Sequence, residues 1–205
     1  MKSKLFLAIP PYIAVWVGMF VLKNAWAALL GFHIAILIVI FLLKPQYSFR
    51  TFFQSTSKKL FFFTILLCAL SGPSLYLLRD FLGISPNLRV QLTALGLQGN
   101  VWEWFILYFS IINPFMEEFF WRIVLGSDIK SFYLGDLVYA GYHTMIVWNK
   151  TSPPLSIVLV LLALTFIGWL WRQLYRKDGS LLTPVVSHSI ADLSILLAIF
   201  FLVNP

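Results

Sequence analysis

Seven apolar runs of membrane-spanning length, parted by short polar breaks, leave this 205-residue chain little room to fold as anything but a membrane-embedded bundle. They lie at about 5–22, 25–43, 59–79, 101–125, 131–149, 154–171 and 180–203. An α-helix rises about 1.5 Å per residue, so some 20 apolar residues cross the roughly 30 Å hydrocarbon core of a bilayer. Sixty per cent of the residues are hydrophobic and only 11% are charged, which leaves nothing over for a soluble domain. The expected fold is all-α: a polytopic transmembrane helical bundle of about seven spans, with six to eight in range, forming a single integral membrane domain over 1–205. Most breaks are short enough to be turns. The 80–100 segment is longer, and its mix of Leu and Val with Arg89, Gln91 and Gln98 suits a short interfacial helix.

Fifteen Lys and Arg give a net charge of +7, which in a soluble protein would point to nucleic acid. Here they gather in the breaks between apolar runs, where they set orientation, and no nucleic-acid partner is expected. With Arg122 left aside as intramembrane, one side collects Lys2, Lys4, Lys44, Arg50, Lys58, Lys59, Lys130, Arg172, Arg176 and Lys177; the other has Lys23, Arg79, Arg89 and Lys150. The amino terminus is then cytoplasmic and the carboxyl terminus outside. Lys2 and Lys4 ahead of an apolar stretch, with Ala25-Trp26-Ala27 behind it, also fit a cleaved signal peptide. Pro10-Pro11 and the immediate return to apolar sequence after Trp26 favour two retained helices. The single cysteine, Cys68, lies in an apolar run, offers no disulfide or thiolate metal site, and reads as a packing residue.

Carboxylates are costly in such a setting, about 2.5 to 3.5 kcal/mol each at mid-bilayer on insertion scales, so the pair Glu117-Glu118 inside 101–125 needs a reason. Adjacent helical residues point about 100° apart. Glu118 and Arg122 are one turn apart and can pair, which leaves Glu117 as the freer carboxylate. Tyr139 and His143 share the same spacing on the next run, with Asp136 on roughly the same face, and His188 and Asp192 repeat it on the last. Run four ends on the side where runs five and seven begin. Glu117 is roughly 12 Å from its helix end, His143 roughly 18 Å from its start and His188 roughly 8 to 12 Å from its start, so all three can meet in one leaflet. The charge count makes that leaflet the cytoplasmic one.

These residues resemble the motifs of the CPBP family of intramembrane proteases, named for CAAX protease and bacteriocin-processing enzymes and also called Abi. The family pattern is EExxxR, then FxxxH, then HxxxN or HxxxD. Glu117 to Arg122 matches the first in full, Tyr139 to His143 matches the second with tyrosine for phenylalanine, and His188 to Asp192 matches the third in its aspartate form. Gly179-Ser180-Leu181 resembles the family's lead-in to the last motif. The resemblance covers about 101–200, the motif-bearing core. It implies an endopeptidase in which Glu117 activates water, His143 shares that water, and His188 with Asp192 stabilises the oxyanion. Glu118, Arg122 and Tyr139 would support these groups. An ionised Asp192 cannot donate a hydrogen bond, so it would have to be protonated or orient His188.

The implied substrate is a peptide or protein with a lipid or hydrophobic anchor, entering laterally from the membrane lipid. CAAX processing after a prenylated cysteine belongs to one branch of the family, peptide maturation and self-immunity to others, and no residue selects between them. The resemblance implies a site that needs no cofactor. Glutamate and two histidines are equally the ligands of a catalytic zinc ion, which here would be Glu117, His143 and His188, and no HExxH is present. Two non-enzymatic readings stand beside the protease. One is an immunity or scaffold protein, against which the intact Glu117, His143 and His188 argue. The other is a proton-coupled transporter, against which the absence of an evident internal repeat argues. His33, alone in its run, reads as a packed or hydrogen-bonded histidine, and Glu103 as interfacial.

Overall fold

A computed structural model describes residues 4–54, 56–151 and 155–204. Lys2, counted above for orientation, and residue 154, the expected start of the sixth run, lie outside them. The chain is all-helical. Five helices are long and apolar enough to cross a membrane: α1 (Lys4–Val21), α2 (Ala25–Leu43), α3 (Lys58–Leu77), α8 (Leu155–Asp178) and α9 (Leu182–Val203). Between α3 and α8 come the short α4 (Leu88–Ala94), then α5 (Gly99–Glu118), α6 (Leu134–Gly141) and α7 (His143–Val147). The described residues contain no strand, only an isolated bridge between Ile84 and Thr151.

Local chemistry sets the helix ends. The Asn24 side chain caps α2 by accepting from the Ala27 amide at 2.9 Å, satisfying one of the donors a helix start leaves open. Pro10 and Pro11 sit in the first turn of the α-helical part of α1, where a missing N–H costs nothing. In α5, Pro114 withholds the amide that would bond the carbonyl one turn back. The helix then widens into a π turn over Phe119–Val124, where the Leu125 amide reaches back five residues to the Phe120 carbonyl at 2.9 Å.

Helix α9 forms the centre, packed against α5, α3 and α8, while α1 pairs with α2 and α6 lies on α8. The outward faces are apolar: Phe41 is 73% exposed and Leu77 76%, as suits side chains that meet lipid rather than water. Helix α3 bends near Leu70, and just past the bend Gly72 comes so close to α9 that a Cβ there would sit 2.1 Å from the Ser194 carbonyl oxygen. The Gly72 amide donates to Ser194 Oγ at 2.9 Å, which ties the seam.

The expected runs at 101–125 and 131–149 are not among the five helices long and apolar enough to cross a membrane. Helix α5 is long, but Glu103, Glu117, Glu118 and Arg122 break its apolar character. The fifth run divides at Tyr142 into helices of 8 and 5 residues, roughly 12 and 8 Å long, neither of which spans the hydrocarbon core by itself. Arg172, counted with the loops, lies instead within α8, which continues to Asp178; it is buried and donates to Asp136 at 2.7 and 2.8 Å. Asp136 therefore serves Arg172, and the start of α6 through the Tyr133 amide at 3.1 Å, rather than orienting His143. Helix α4 turns Leu88 and Leu92 inward among Leu29, Leu95, Trp102 and Phe105, so the 80–100 segment is anchored in the bundle.

Candidate active site

Glu118 is fully buried and held from two sides. Arg122 Nε donates to its Oε2 at 2.7 Å and Nη2 to Oε1 at 3.3 Å, while His188 Nδ1 meets Oε1 at 2.9 Å. The Arg122 guanidinium lies 5.0 Å from the centre of the Tyr139 ring. A carboxylate in a low-dielectric interior is tolerable when paired and hydrogen-bonded in this way. It has little capacity left for chemistry.

Glu117 is equally buried and far less engaged. Tyr142 Oη donates to its Oε1 at 2.5 Å. Its Oε2 has no hydrogen bond of normal geometry among the described residues, with the Asn113 amide as a neighbour one turn back. The Tyr142 ring stacks on His143 with centroids 4.0 Å apart, so a single tyrosine links the carboxylate to the first histidine. His143 Nδ1 is likewise buried without a hydrogen bond of normal geometry.

The second histidine is clamped between carboxylates. His188 Nε2 lies 3.5 Å from Asp192 Oδ1, opposite the Glu118 contact on Nδ1. Its ring stacks on Trp171 at 4.4 Å. Tyr139 stands edge-on to both histidine rings, 5.5 Å from His143 and 6.5 Å from His188. The motif residues Glu117, Glu118, Arg122, Tyr139, His143, His188 and Asp192 thus form one cluster drawn from α5 and its π turn, α6, α7 and α9.

Among the described residues no three His, Cys, Asp or Glu side chains converge closely enough to hold a metal ion. Of the three residues considered as zinc ligands from sequence, Glu117, His143 and His188, the last is engaged by Glu118 and Asp192.

An apolar cavity of roughly 210 Å³ ends at Glu117 and Asn113. It is walled by Leu29, Phe32, Phe105, Phe109 and Leu196 and continues past Val147 toward Lys150. From Glu117 it follows α5 toward its start at Gly99, away from the end of the helix nearest the motif cluster.

Residues 99–194 match a family described as Type II CAAX prenyl endopeptidase Rce1-like. That segment belongs to the Rce1-like family. The match begins with α5 and runs into α9, taking in every motif residue named above, and together with the apolar helices it supports an integral membrane protein of the CAAX-type intramembrane protease class in general. No curated protein and no solved structure matches the chain.

Two residues of the cluster escape a reading of motifs. Asn113 is buried and donates through Nδ2 to Asp192 Oδ2 at 3.3 Å, while its Oδ1 meets His33 Nε2 at 3.1 Å. Tyr142 holds Glu117. Asn113 stands four residues before Glu117, a spacing that could have flagged it. His33, read as a hydrogen-bonded histidine, is one, with Tyr108 Oη 3.1 Å from its Nδ1.

Proposed function

We propose that this protein is an intramembrane endopeptidase that hydrolyses a peptide bond in a prenylated, CAAX-like or otherwise hydrophobic peptide. Glu117 takes the proton of the attacking water, and His143 shares that water. His188, oriented by Asp192, faces the oxyanion that forms on the carbonyl. Glu118 and Arg122 brace the π turn and anchor His188, and Tyr139 packs the two histidines. The amino terminus is cytoplasmic and the carboxyl terminus outside, in a bundle of about seven membrane-crossing segments, with the site toward the cytoplasmic leaflet.

One observation carries the reading: a buried carboxylate with one oxygen held and the other unengaged stands at the inner end of an apolar cavity. General-base chemistry needs a carboxylate so placed. A lipid tail needs the cavity. An anchor from the cytoplasmic leaflet would send its chain past Glu117 into the cavity, leaving the scissile bond beside the carboxylate.

The test is cleavage of a farnesylated CAAX peptide by purified protein in lipid, with and without a chelator. Wild type should cleave, and Glu117→Gln should lose at least about 100-fold, in line with a lost general base. Turnover surviving Glu117→Gln would remove this base from the mechanism. Loss on chelation, restored by zinc, would replace the metal-free scheme.

A further inference from the structure

Attack on a peptide carbonyl needs hydrogen-bond donors where the oxyanion forms, and the residues assigned to it so far offer few. Both oxygens of Asp192 act as acceptors, Oδ2 for Asn113 Nδ2 at 3.3 Å and Oδ1 facing His188 Nε2 at 3.5 Å. Both nitrogens of His188 face carboxylates. His188 turns an N–H toward a substrate only by releasing one of these carboxylates, and Asp192 has no N–H to offer.

Asn113 does. Its amide orientation is fixed by its neighbours, because Oδ1 turned toward Asp192 would set two acceptors face to face, whereas Oδ1 turned toward His33 accepts from Nε2 at 3.1 Å. With Tyr108 Oη donating to His33 Nδ1 at 3.1 Å, the chain runs in one direction from Tyr108 through His33 and Asn113 to Asp192. An amide nitrogen carries two hydrogens and Asp192 takes one. The other lies beside the Glu117 carboxylate one helical turn on, on a group that is 2% exposed and lines the apolar cavity together with Glu117, so it stands where the oxygen of a carbonyl attacked by Glu117-bound water would lie.

Resting on the function proposed above, we infer that Asn113 is a catalytic residue of this site: its second N–H donates to the carbonyl oxygen of the scissile bond as that oxygen becomes an oxyanion. Water oxygen bonds to the carbonyl carbon while Glu117 takes one water proton, and the carbonyl π electrons move onto the oxygen that Asn113 faces. Collapse restores the C=O bond, breaks the C–N bond and passes the proton from Glu117 to the departing amine. Asp192, whose Oδ2 accepts from Nδ2, positions the amide. His33 is the positioning residue on its other side.

The experiment measures kcat and KM on a farnesylated CAAX peptide, and the inhibition constant of a farnesylated phosphinate peptide whose tetrahedral anion imitates the intermediate. Removing one such donor typically costs about 10² to 10³ in kcat. Asn113→Ala and Asn113→Asp should fall in that range with KM changed less than about threefold, and the phosphinate should weaken by the same factor as kcat/KM. His33→Leu should lower kcat roughly tenfold and His33→Gln, which keeps a donor, should recover most of it. If Asn113→Ala fails to fold, the near-isosteric Asn113→Asp decides. Wild type silenced by Glu117→Gln but left within about threefold by Asn113→Asp overturns this assignment alone, as does a kcat loss with phosphinate affinity unchanged. An inactive wild type overturns the function and this assignment together.

Discussion

At the scale of residues, the Glu117-Glu118 pair shows how two identical side chains acquire different work from their surroundings. Glu118 accepts from Arg122 at 2.7 Å and meets His188 at 2.9 Å, while Glu117 has one hydroxyl partner and one unengaged oxygen. The arrangement makes Arg122 a stability residue. Removing one partner of a buried ion pair typically costs about 3 to 5 kcal/mol, because the remaining charge is stranded. Arg122→Met should destabilise the protein by about that amount, read from unfolding midpoints in mixed micelles. The double variant Arg122→Met with Glu118→Gln should be milder, since no charge is left alone. A single variant as stable as wild type would show that His188 alone satisfies Glu118. Pairs of this kind were legible in sequence: i,i+4 spacing alone joins Glu118 to Arg122, Tyr139 to His143 and His188 to Asp192. The contacts of Asn113 with His33 and Asp192, and of Tyr142 with Glu117, cross between helices. No local spacing encodes them.

At the scale of elements, the same distinction separates what was read from what was missed. Five runs appear as helices within a few residues of their expected bounds, apart from the extension of α8, because a long apolar run in lipid must satisfy its own backbone. The extension arises because Arg172 reads as a loop charge but is neutralised by Asp136 across the bundle. The division at Tyr142 is invisible because apolar residues continue on both sides. Helix α9 carries His188 and Asp192 and is held by the close approach of α3 at Gly72, where a Cβ would lie 2.1 Å from a backbone oxygen that cannot rotate away. Gly72→Val should force the two helices apart, costing about 1 to 3 kcal/mol as other overpacked contacts do. Activity should fall with stability, because the displaced helix bears His188 and Asp192. Unchanged unfolding midpoint and turnover would mean that α3 bends to absorb the side chain.

At the scale of the whole molecule, the position of the cavity relative to the motif cluster sets what the substrate must look like. The cluster lies near the end of α5, and the cavity leads from Glu117 the other way, past Phe105 and Val147 to Lys150. A peptide approaching from the nearer face would keep its polar end at that face, and only an apolar chain would fill the space beyond. Tail length should then be read through KM rather than kcat, because contacts remote from the reacting atoms are made equally in the ground and transition states. Val147 lines the cavity near Lys150 and is only partly buried, so a larger side chain there fills space without crowding a packed core. Excluding two or three methylenes forfeits about 2 kcal/mol at ~0.8 kcal/mol per CH₂. Val147→Trp should therefore raise KM for a farnesylated peptide at least about tenfold with kcat within about threefold, and should penalise a geranylgeranyl chain more. A fall in kcat at constant KM, or an equal effect on both chains, would move the tail out of this cavity and leave the access route to be sought between other helices.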